Sequence, residues 1–120
     1  MKRRMSPFEE AVLMAVGELT VRNPKGAYGV PIKKTLCDWY KGDVNFGSIY
    51  TTLERMERKG YVSSIMGDPT PERGGKRKRY FKIEATGVRA LQESRETSRG
   101  IYELFDKLWG RKWKKIAEGV

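Results

Sequence analysis

Two segments of the chain constrain its fold more tightly than any bulk property. The stretch Asn45-Phe46-Gly47-Ser48-Ile49-Tyr50-Thr51-Thr52-Leu53-Glu54-Arg55-Met56 has the character of a capped helix with one apolar face and one small, polar face. Asn45 offers a side-chain oxygen to the orphan amides of the first turn, and Gly60 supplies a left-handed stop after Lys59. Phe46, Ile49, Leu53 and Met56 are expected to face inward, while Ser48, Thr52, Arg55 and Lys59 form a second stripe with Thr51 beside it. The other segment, Arg73-Gly74-Gly75-Lys76-Arg77-Lys78-Arg79, is a glycine-centred turn loaded with cations.

The flanking residues supply the rest of a small helical unit. Ser6-Pro7-Phe8-Glu9 predicts a helix start, with Ser6 as cap, Pro7 at the first helical position and Glu9 closing a reciprocal capping box. Phe8, Val12, Ala15, Val16 and Leu19 recur at helical spacing, and the turn chemistry of Asn23-Pro24-Lys25-Gly26 places the end near Thr20. A shorter helix is expected from Val30 to Tyr40, with Ile32, Leu36 and Trp39 or Tyr40 on one face, broken by Gly42-Asp43. Tyr61 to Met66 and Arg77 to Glu84 read as the strands of a hairpin, with Arg79, Phe81 and Ile83 on one side and Tyr80 and Lys82 on the other. A final helix is expected after Glu84. The fold class is therefore mostly α with a small β-hairpin wing: a winged helix-turn-helix plus a C-terminal helix. Residues 1–83 are expected to form the winged domain, and 84–120 a dimerisation helix with a basic tail.

A formal charge of +10 and a pI near 9.9 call for an anionic partner. Histidine is absent and Cys37 is the single cysteine, which removes His-dependent triads, thiolate clusters and His-containing zinc sites. No catalytic residue, metal or cofactor is expected. The lone cysteine suits a reducing cytoplasm. No apolar run approaches the roughly 20 residues that span a bilayer, so no membrane partner is expected. The basic start, Met1-Lys2-Arg3-Arg4-Met5, lacks the apolar stretch of a secretory signal.

A major groove admits one α-helix, and side chains facing the bases must be short or able to hydrogen-bond. Asn45, Ser48, Thr51 and Thr52 meet that demand near the helix start. Arg55 can reach a guanine edge or a phosphate, and Tyr50, beside the stripe, offers a phenol to the backbone. Between Arg73 and Lys82 stand six cations, and crowding like charges costs stability unless a partner neutralises them. Arg73, Lys76, Arg77 and Lys78 are therefore expected to clamp phosphates or the minor groove of double-stranded DNA. Lys33 and Lys34 either touch phosphate or keep their helix soluble. Lys2-Arg3-Arg4 reads as an arm that follows the backbone or, as is usual for basic chain ends, as a frayed terminus.

The order and spacing of several short matches resemble the PadR-like family of bacterial transcriptional regulators. They are Ala27-Tyr28-Gly29-Val30-Pro31-Ile32, Gly47-Ser48-Ile49-Tyr50-Thr51-Thr52-Leu53, Arg58-Lys59-Gly60-Tyr61-Val62 and Gly67-Asp68-Pro69-Thr70-Pro71-Glu72-Arg73-Gly74-Gly75, followed by Lys78-Arg79-Tyr80-Phe81 and Gly87. The likeness covers Ser6 to Leu91. It implies a winged-helix domain, a symmetric homodimer and repression by occupancy of a palindromic operator. In some members it also implies a hydrophobic or aromatic small-molecule effector between wing domains and dimer helices. Glu84 departs from the family's usual Thr at the start of the last helix, and Gly100 interrupts that helix at a cost of roughly 1 kcal/mol against Ala.

Leu91, Ile101, Leu104, Phe105, Leu108 and Trp109 are too many large apolar groups for one solvated helix, so they are expected to cover the first helix, a second subunit, or both. Two-fold pairing would set two recognition helices about one duplex turn, roughly 34 Å, apart. Two other readings fit the charge: an RNA-binding domain and a protein adaptor. The first would want exposed aromatics on a sheet, where the hairpin offers only Tyr80.

Overall fold

The computed structural model describes residues 5–68, 77–109 and 116–119. Three helices, α1 (Pro7–Arg22), α2 (Gly29–Tyr40) and α3 (Phe46–Arg58), precede an antiparallel hairpin of β1 (Val62–Met66) and β2 (Arg79–Ile83), and α4 (Ala85–Trp109) follows. This is the mostly helical, winged architecture expected.

The local chemistry explains each boundary. At the start of α1, Ser6 Oγ accepts from the Glu9 amide at 3.2 Å while the Ser6 amide donates to the Glu9 carboxylate at 3.0 Å. The helix outruns Thr20 and ends at Arg22, because the Thr20 hydroxyl bonds back to the Val16 carbonyl at 2.7 Å instead of breaking the ladder. α2 ends at Tyr40 as expected, and Lys41 rather than Gly42 makes the stop, taking the left-handed conformation itself (φ 56°). Asn45 Oδ1 accepts from the Ser48 amide at 2.8 Å to cap α3, and Gly60 turns the chain beyond it at φ 78°.

The hairpin pairs Val62 with Ile83 through to Met66 with Arg79. A third piece of extended chain joins it: the Ala27 amide and carbonyl both bond to Phe81, each at 2.8 Å. This close approach requires Gly26, whose φ of 102° suits no L side chain and whose added β-carbon would lie 2.5 Å from the Phe81 carbonyl oxygen. Phe81, Leu13, Ile32, Leu36, Ile49, Leu53 and Met56 form the fully buried centre between the three helices and the hairpin.

The two halves of α4 differ. Near its start Leu91 packs partly against the core, and the buried Ser94 hydroxyl accepts from the Met5 amide at 2.9 Å. Glu84, the unusual residue before the helix, accepts the Gly87 and Val88 amides on its main-chain oxygen, while its carboxylate takes the Ser63 hydroxyl at 3.1 Å. Beyond Ser94 the helix leaves the body. Ile101, Leu104, Phe105 and Leu108 are 48%, 52%, 43% and 60% exposed. The Trp109 side chain lies outside the described residues. The molecule is accordingly elongated, 64 × 30 × 23 Å. Among the described residues, no helix is long and apolar enough to cross a membrane.

Candidate nucleic-acid interface

The stripe of α3 that the structure displays is narrower than the one expected. Ser48 and Thr51 are exposed and Arg55 half-buried, but Thr52 is only 3% exposed. The reason is helical phase. Ile49, Thr52, Leu53 and Met56 follow the i, i+3, i+4, i+7 rule, so Thr52 belongs to the inward face. Phe46, expected inside, is instead outside the core, lying under the Lys33 ammonium at 4.5 Å and beside the Tyr50 ring at 6.2 Å. Thr52 is thus corrected from a base-facing residue to a core residue. Asn45, also expected at the interface, spends its side-chain oxygen on the cap.

Arg55 is not wholly available either. Its Nη1 donates to Glu9 Oε2 at 3.2 Å, joining α3 to the capping box of α1. Burial pushes the Glu9 carboxyl up, but hydrogen bonds with Ser6, the nearby Lys59 charge and the Arg55 bond outweigh it and hold the group below the usual carboxylate range.

The geometry converges on the first turn of α2. Tyr28, the residue before that helix, lies beneath the Lys78 ammonium at 4.2 Å and meets the Tyr80 ring edge-on at 5.7 Å. Lys25 covers the other ring of this pair, 5.1 Å from the Tyr80 centroid. The adjacent Gly29 sits against the Tyr50 hydroxyl so closely that any β-carbon there would collide with it. Consecutive residues therefore touch the wing root on one side and α3 on the other. Lys78 and the Tyr50 phenol thus flank the N-terminus of α2, where main-chain amides and the helix dipole already favour anions, while Lys33 pairs with Asp43 at 3.4 Å.

Of the wing cations, Arg77 donates from Nε to the Gly67 carbonyl at 2.8 Å. Arg79 is turned inward toward Glu57 and Ser64. Arg73 and Lys76 lie outside the described residues. Tyr28 and Lys25 entered the sequence argument only as motif and turn residues. The aromatic-cation spacing Lys25, Tyr28, Lys78, Tyr80 was their available signal, but it is legible only once Ala27 is known to pair with Phe81. Among the described residues, no group of acidic or Cys side chains is arranged to hold a metal ion.

Separately, α1, Trp39 of α2 and the first half of α4 line an apolar groove of about 910 Å3. Met14, Val21, Val88 and Leu91 line it.

Comparison with known proteins agrees with this architecture. The family model described as "Transcriptional regulator PadR-like family" matches residues 19–93. No curated protein sequence matches the chain. Among solved structures, the chain is similar to a PadR-like transcription factor from Bacteroides fragilis, at 17% identity over 84% of this chain and 88% of that one, with a TM-score of 0.66. A PadR family regulator from Eggerthella lenta gives 22% identity, coverage of 82% and 80%, and a TM-score of 0.64. A PadR-like regulator from Bacillus cereus gives 19%, 86% and 91%, and 0.62. At these identities the structures speak to the fold.

Proposed function

The chain belongs to the PadR-like family of transcriptional regulators, and from that premise we propose that it is a cytoplasmic, homodimeric repressor of a palindromic operator. The observation that carries the DNA-binding surface is the convergence at Tyr28 and Gly29, which ties Lys78 of the wing and Tyr50 of α3 to one helix N-terminus. In this reading Ser48, Thr51 and Arg55 face bases, and Lys78, Arg77, Arg73 and Lys76 hold the backbone. Lys25 and Lys33 join them as phosphate contacts.

The distal half of α4 supports dimerisation. Ile101, Leu104 and Leu108 repeat at helical spacing on a helix clear of its own body, and water-exposed apolar area of that kind is removed by a second copy. Residues 1–83 then serve as the DNA-binding unit and 84–120 as the dimerisation unit, with Leu91 and Ser94 as the joint. The groove beside Trp39 suits a hydrophobic or aromatic effector. Repression follows because an occupied operator excludes other proteins.

Selection of bound duplexes from a random pool tests this reading. It should return an inverted repeat whose half-sites lie about one turn, roughly 34 Å, apart. Neutralising 6–10 phosphates per dimer should weaken binding roughly 10³ to 10⁵-fold between 50 and 200 mM salt. A pool without symmetry, or preferential competition by structured RNA, would overturn it.

A further inference from the structure

Glu57 near the end of α3, Ser64 on β1 and Arg79 on β2 close a ring of bonds across three elements. Ser64 Oγ donates to Glu57 Oε2 at 2.6 Å, and Arg79 Nε donates to Ser64 Oγ at 3.0 Å. Arg79 Nη2 completes the ring on Glu57 Oε1. The same guanidinium lies 4.9 Å from the centre of the buried Phe81 ring. We propose that this three-residue clasp fixes the angle of the wing against α3, which makes Glu57 a positioning residue for DNA binding. The inference rests on the DNA-binding reading above.

A two-stranded hairpin has little stability of its own and takes its orientation from what it packs against. Here Ala27 holds β2 at Phe81, near the middle of the strand. Arg79 pairs with Met66 at the far end of the ladder, where the chain departs for the tip. The Ile83 amide also donates to Thr20 Oγ1 of α1 at 3.2 Å, so the main chain anchors β2 from its middle to its body end, and the clasp adds a second point at the tip end. Lys78 and Arg77 directly precede Arg79, so their placement relative to Ser48 and Thr51 depends on that second point. Charge-assisted bonds to a forked guanidinium are directional enough to set such an angle, and a lysine at the same place would not reproduce the fork.

The sign of one substitution separates this role from ordinary electrostatics. Glu57 is an acid on a helix that meets a polyanion, so if it acted only through its charge, its removal would tighten binding. If it positions the wing, removal weakens binding. Full-length Glu57→Gln, Arg79→Lys and Ser64→Ala proteins would be titrated with the selected operator across a salt series, with thermal unfolding followed by circular dichroism. Glu57→Gln and Arg79→Lys should each lose about tenfold in affinity, as expected for a charge-assisted contact, and Ser64→Ala less. Each should also give a shallower salt dependence, by roughly 0.9 for every wing phosphate released. The base preferences read by α3 should stay as in the wild type.

Binding by a folded Glu57→Gln protein that is unchanged or tighter, with an unchanged salt slope, would overturn the clasp. If Glu57→Gln fails to fold, Arg79→Lys alone decides by the same two readouts. Wild-type protein with no salt-dependent duplex binding would overturn the DNA-binding reading and the clasp with it, an outcome visible before any variant is made.

Discussion

On α3 the apolar stripe of Ile49, Leu53 and Met56 is completely covered by the same chain, whereas on α4 beyond Ser94 the stripe of Ile101, Leu104 and Leu108 remains about half in water. Both helices are amphipathic, and both present polar groups on the other face. The difference lies in what surrounds them. α3 is enclosed by α1, α2 and β1, so its outer surface is rigid and complete in one copy. Distal α4 leaves Ile101, Leu104 and Leu108 about half exposed among the described residues, and in the proposed dimer a second copy would cover them. Under the proposed function, nucleic-acid contact would be built at the level of the single chain, and symmetry at the level of the pair.

The comparison can be broken most severely at α4. Leu104→Asp with Leu108→Asp should convert the protein to a monomer by light scattering. Operator affinity should fall roughly 10² to 10⁴-fold, because the second half-site no longer binds intramolecularly. Far-ultraviolet dichroism of the helical body should persist. A variant that stays dimeric would move the contact elsewhere, the groove beside Trp39 being the next surface to test.

Leu53→Ala attacks the covered face instead. It should lower unfolding free energy by about 2–5 kcal/mol in chemical denaturation, as for other fully buried leucines. The loss should be independent of protein concentration if α3 is completed within one chain. A concentration-dependent loss would mean that its packing needs the partner.

The smallest effect is expected at the residue whose role was revised. Thr52→Val keeps the shape of a buried side chain but removes its hydroxyl, and folding stability should change by less than about 2 kcal/mol. Duplex selection with this variant should return the wild-type operator. An altered operator would restore Thr52 as a base contact.

Much of this was legible in the chain because it is local. The Ser6–Glu9 box, the Asn45 cap and the Gly60 stop each involve residues within a few positions of one another, and all three stand where the sequence put them. What escaped was either non-local or one step of helical phase. The Ala27–Phe81 pairing and the Met5–Ser94 bond join residues far apart in sequence, with no periodic signature. Thr52 was misplaced because a threonine fits both a groove and a core, and only the phase of Ile49 and Met56 decides between them. Strand alternation set Arg79 on the side of Phe81, but its partner Glu57 lies 22 residues away and carries no local signal.

The anchoring of α4 at Ser94 turns the rest of that helix into a ruler. Each residue advances about 1.5 Å and rotates about 100°, so the stretch between Ser94 and Ile101 sets both the reach and the azimuth of the sticky edge. One inserted residue there would swing that edge a quarter-turn or more away from its mate, while seven would bring it nearly back into phase at a greater separation. In the proposed dimer, the spacing of half-sites would therefore be set by the length of this helix.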